Sequence, residues 1–144
     1  MSRIQPAPIK DNLTTEDGDI SFTWVTFFNQ IYNGDPGTAW TPSFTNLTVV
    51  GAAPTITGTV YRIGQSLAYF SIKIVPGTNT SSVAGTTYVN NFPVSVKTPG
   101  PCFVLSGNLG GSVGMIENSS SRIYTPVWTT VATTLWVVGM CEIQ

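Results

Sequence analysis

Residues 55–75 read TITGTVYRIGQSLAYFSIKIV, and no other stretch limits the fold as tightly. Within it Ala68, Phe70, Ile72 and Ile74 alternate with Tyr69, Ser71 and Lys73. A period of two places these sets on opposite sides of a pleated strand, one face buried and the other wet. The runs 55–63 and 66–75 are separated by Gly64 and Gln65 alone. A connection so short cannot carry the chain to a parallel neighbour, so the two runs are expected to pair as an antiparallel hairpin. Further β runs follow at 86–96, 99–107, 112–118, 122–128 and 134–143, and one precedes them at 44–50, with Gly, Pro and Asn at the joints. The segment 76–85, PGTNTSSVAG, reads as a loop. This spacing predicts a mainly β fold, an antiparallel β-sandwich or jelly-roll-like domain over 38–144. A chain of 144 residues forms one domain whose core is stable without staples.

The first part of the chain obeys different rules. Residues 1–20 hold Pro6 and Pro8, little apolar periodicity and the acidic groups Asp11, Glu16, Asp17 and Asp19, which predicts an extended arm. From Ser21 the positions Trp24, Phe27, Phe28 and Ile31 follow the i, i+3, i+4, i+7 template of an amphipathic helix over 21–33. Gly34 and Pro36 end it. Phe22, Val25 and Tyr32 widen the apolar surface beyond one helical stripe. Ile20, Phe22, Trp24, Phe27, Phe28 and Ile31 are therefore the expected contacts with a partner or with sister subunits. The segment is too short and too polar to span a bilayer, which takes roughly twenty apolar residues. The opening residues contain no apolar signal core, so synthesis in a cytoplasm is expected.

Catalytic chemistry has few candidate groups. The chain contains no histidine, which excludes a Ser-His-Asp or Cys-His arrangement. After Asp35 the carboxylates are Glu117 and Glu142. A glycosidase would need such a pair about 5–10 Å apart in a cleft, and the reading adopted is two strand-edge glutamates. Cys102 and Cys141 read as small buried hydrophobes rather than metal ligands. No cofactor or metal is expected, and the chain reads as a non-enzyme. Charged residues make up 9% of the chain, against roughly a quarter in ordinary soluble proteins. With a net charge of −1 and scattered basic residues, nucleic-acid binding has no footing. Trp40 and Tyr69 are candidate ligand-facing aromatics of the kind that stack on a pyranose ring. Strand aromatics in a small β domain more often serve the core or a subunit contact.

Taken in order, DGDISFTW, the W-x-x-F-F helix, AWTPSFTNLTVVG, TGTVYRIGQSLAYFSIKI, AGTTYVNNFP and YTPVW with LWVVGMCEI resemble small β-rich virion proteins of tailed bacteriophages. These include head decoration or cement proteins, head fibres and tail-fibre tips. The resemblance implies a homo-oligomer, trimer or dimer, on the virion surface after synthesis in the host bacterial cytoplasm. It further implies attachment through the N-terminal segment to other virion subunits such as the major capsid protein, with the β domain projecting. A short chain without a repetitive shaft favours decoration over a reaching fibre. The alternative is a fibre tip that recognises a host cell-surface saccharide.

Overall fold

The alternation at 67–75 is realised as a strand whose exposed and buried residues trade places at every step. The computed structural model describes residues 37–106, 112–118 and 121–144. The arm at 1–20, the helix at 21–33 and the contacts assigned to Ile20, Phe22, Trp24, Phe27, Phe28 and Ile31 lie outside the described residues. In chain order the strands are β1 (Thr38–Trp40), β2 (Phe44–Thr45), β3 (Thr48–Val50), β4 (Thr55–Ile63), β5 (Leu67–Val75), β6 (Asn79–Ser82) and β7 (Tyr88–Val89). They continue with β8 (Val96–Thr98), β9 (Gly100–Leu105), β10 (Val113–Ile116), β11 (Ile123–Tyr124), β12 (Trp128–Val131) and β13 (Leu135–Ile143). The described residues are thus mainly β, and their strand pairings are antiparallel.

A ten-stranded sheet runs β1-β4-β5-β13-β9-β10-β11-β7-β2, with β8 also on β13. Its two outermost strands, β1 and β2, are joined by Thr41, Pro42 and Ser43 alone. Four Cα steps of 3.8 Å cannot reach beyond about 15 Å, so the sheet must curl until its edges come together. Hydrogen bonds secure the seam. Asn91 donates from Nδ2 to the Thr41 carbonyl (2.8 Å) and accepts from the Ser43 N–H at Oδ1 (2.8 Å). The Asn90 N–H donates to the Ser43 carbonyl (3.1 Å), and Pro42 is buried.

Curling turns one face inward. Val60, Phe70, Ile72, Ile74, Val89, Ile116, Ile123, Leu135 and Val137 contribute from six strands to a single apolar cluster. Phe92, just past β7, meets the ring of Phe70 edge-on at 5.2 Å and that of Trp40 at 5.8 Å, so residues from opposite ends of the sheet share one core. Trp40 lies over Gly58, its register partner, where a Cβ would stand 2.7 Å from the indole ring. A smaller sheet, β12-β6-β3, is bound to the core through Trp128, which is 1% exposed. Ser82 accepts from the Trp128 N–H (3.0 Å) and donates to the Pro126 carbonyl (2.5 Å).

The expected hairpin is present, with β4 and β5 in register from Thr55↔Val75 to Ile63↔Leu67 and Ser66 joining the turn. Four readings need correction. The run 86–96 holds only β7 before β8 opens at Val96, and the run 122–128 is divided between β11 in the large sheet and β12 in the small one. The run 44–50 is two strands in different sheets, because Asn46 adopts a left-handed conformation (φ 58°) that breaks the extended path. Asparagine tolerates that region better than most residues. The loop assigned to 76–85 contains β6, whose inward positions are Thr80 and Ser82 rather than aliphatic side chains.

Replacing Asn91 by alanine removes both side-chain bonds across the seam, and a loss of about 1–2 kcal/mol is expected from chemical denaturation. Gly58→Ala should cost about 1–3 kcal/mol by driving a methyl into Trp40, with the midpoint lowered and the denaturant slope unchanged.

Candidate binding face and groove

The same alternation that fills the core populates the outside of the sheet. On β13 the outward residues are Trp136, Val138, Met140 and Glu142. Register places Trp136 between Lys73 of β5 and Leu105 of β9, and Val138 between Ser71 and Phe103. Met140 opposes Tyr69, which in turn opposes Tyr61 of β4. Across β9 and β10, Phe103 opposes Val113 and Pro101 opposes Met115. The large side chains of this face are strongly exposed, from 36% for Tyr69 through 48% for Met140 to 63% for Val113. Scattered apolar residues on a surface are ordinary, but a contiguous face is not. Its border is polar in part, with Ile63 of β4 also exposed beside Leu67. Thr55, Thr57 and Thr59 flank it on β4, and Glu142 closes one end.

Glu142 is committed to its surroundings. Its carboxylate meets Lys97 Nζ at 2.6 Å and accepts from the Thr98 hydroxyl at 2.6 Å. These contacts, Lys97 first, hold its pKa below the usual carboxylate value. Glu117 lies elsewhere, just beyond β10, on the wall of a groove of about 620 Å³. Ala84, Gly85, Val113, Gly114, Met115, Tyr124 and Thr125 line it as well. Beside it the Tyr88 and Tyr124 rings sit 5.4 Å apart, and the Arg122 guanidinium stacks 4.8 Å above Tyr88. A hydrogen bond to the Tyr124 side chain, then the field of Tyr88, raises the Arg122 pKa above its ordinary value. Thr125 donates to the Thr87 carbonyl (3.2 Å), and Thr87 donates to that of Asn46 (2.9 Å), a buried polar ladder that fixes the groove wall.

The two aromatics singled out from the sequence part company. Tyr69 stands on the exposed face, whereas Trp40 is turned toward Gly58 and Phe92. The Tyr88–Tyr124–Arg122 cluster was not singled out from the sequence. Tyr88 and Tyr124 are 36 positions apart on strands of two residues each, Arg122 lies just before β11, and the β7–β11 pairing unites them. The cysteines are buried, free thiols on the inner face. Cys102 donates to the Tyr124 carbonyl at 3.3 Å, and burial pushes its thiol up to about 12 and that of Cys141 to about 11. Among the described residues no group of three His, Cys, Asp or Glu is placed to hold a metal ion. No helix among them is long and apolar enough to cross a membrane.

Both thiols should resist a maleimide in the folded protein near pH 8.5, where a free cysteine is about half ionised, and both should label after denaturation. Glu142 has a depressed folded-state pKa, so its contribution to stability is present above the unfolded value and lost as pH falls through the lower folded one. Glu142→Gln should therefore flatten the acid limb of the stability profile. Comparison with protein-family models, with curated proteins and with solved structures gives no match to this chain.

Proposed function

We propose that the chain is a non-enzymatic structural protein of a tailed-bacteriophage virion, a capsid decoration or cement protein. Its N-terminal arm and helix dock on other virion subunits, and its β domain, a sandwich or jelly-roll-like unit, caps the particle surface. The observation that carries this reading is the outer sheet face, where Trp136, Met140, Phe103, Leu105 and Met115 are 39–52% exposed. A face of this kind, apolar in the middle and polar along part of its border, has the anatomy of a subunit interface. Glu142 supports the same reading, being engaged by Lys97 and Thr98.

A second reading, a fibre tip that recognises host saccharide, draws support from the groove. Paired tyrosines with an ordered guanidinium and a nearby carboxylate offer a stacking surface together with polar partners for sugar hydroxyls.

Mass spectrometry of density-purified particles should find this chain at many copies per virion, and its confinement to the soluble lysate would defeat the structural assignment. Removing residues 1–33 should abolish incorporation while leaving the β domain soluble. Should the second reading hold instead, Tyr124→Ala weakens binding to host polysaccharide by about 2- to 10-fold, the range of one aromatic contact. Particle stability would then be unaffected.

A further inference from the structure

We propose that the outer face of β5, β13, β9 and β10 is a self-association surface, and that its occupant is the same face of another copy of this chain. The inference rests on the structural reading above and names its partner. Three observations favour a sister copy.

The first is area. Nine large side chains of this face are exposed by 36–63%, Trp136, Met140, Phe103 and Met115 among them. Taking about 150–250 Å² for a fully exposed aromatic side chain and somewhat less for an aliphatic one, they present roughly 700 Å² of mostly apolar surface. That exceeds the 300–600 Å² of the largest patch on a typical monomer and approaches the roughly 800 Å² each partner contributes to a stable complex.

The second is charge. Lys73 lies beside Trp136 at one end of the face, and Glu142 lies at the other. Glu142 is already matched by Lys97 of its own chain, so that end is nearly neutral. Copies whose β13 strands run in opposite directions keep their Lys73 ammonium groups at opposite ends. The two faces therefore meet without strong like-charge repulsion.

The third is texture. Sheets stack about 10 Å apart when their facing side chains interdigitate. Here bulky Trp136 and Met140 alternate along β13 with the smaller Val138, which leaves ridges and hollows that a second copy can fill. Threonines on β4 supply the polar part of the border.

The test uses the full chain in solution. Sedimentation velocity across a dilution series should give a mass that is a multiple of 15.4 kDa. The double variant Phe103→Asp, Met140→Asp should fall to a single chain while its cysteines remain protected from maleimide, which shows that it is folded. A wild-type monomer at every concentration, or a folded double variant with undiminished mass, overturns the proposal. Should the variant not fold, oxidation of wild-type Met115 and Met140 by peroxide gives the same answer. Both should oxidise several-fold more slowly at high protein concentration than on dilution. Rates independent of concentration overturn the proposal, whether the face is bare or covered from within the same chain. Particles that incorporate a chain found to be monomeric in solution would leave the virion assignment standing and remove only the self-association.

Discussion

Three residues, Thr41 to Ser43, set the geometry of the described fold. They connect strands at opposite limits of a ten-stranded sheet, and so short a tether lets that sheet exist only in a curled form. Everything else follows from the curl. Side chains on the concave side meet one another, so Trp40 from the first strand, Phe70 from the middle and Phe92 from beyond β7 can share contacts although they are far apart in strand order. The Asn91 bonds and the buried Pro42 fasten the seam that this tether imposes.

The curl also divides the chemistry of the molecule. The concave side takes almost purely aliphatic and aromatic residues, including two thiols whose burial makes them poor nucleophiles. The convex side is apolar over its central strands and carries Thr55, Thr57 and Thr59 along part of β4. A sheet with both faces apolar is usual where both are covered. A strand such as β13, with Val137 and Cys141 on one side and Trp136 and Met140 on the other, fits that description better than it fits a strand facing water.

Much of this architecture was legible in the residues. The strict alternation from Ala68 to Ile74 gave both the strand and its inward face, and the short connection after Ile63 gave its partner. The long strands were readable because nine residues contain several periods of two. Short ones were not. β7, β11 and β2 hold two residues each, too few for any periodicity, and their placement depends on partners distant in sequence. β6 escaped notice because Thr80 and Ser82 occupy its inner positions, a polar choice made workable for Ser82 by the Pro126 carbonyl and the Trp128 N–H. The groove was invisible for the same reason as the short strands. Tyr88, Arg122 and Tyr124 carry no shared motif, and the sheet alone brings them together.

The position of β13 in the sheet governs when the molecule can form. It is the last strand in chain order among the described residues, yet it lies between β5 and β9 and also carries β8. A nascent chain emerging from the ribosome can assemble the β4–β5 hairpin early, but its two halves stay unjoined until Leu135–Ile143 has been synthesised and inserted between them. Pairing across such sequence distances is slow and leaves sticky edges open in the interval. Folding of this domain therefore waits on the synthesis of β13.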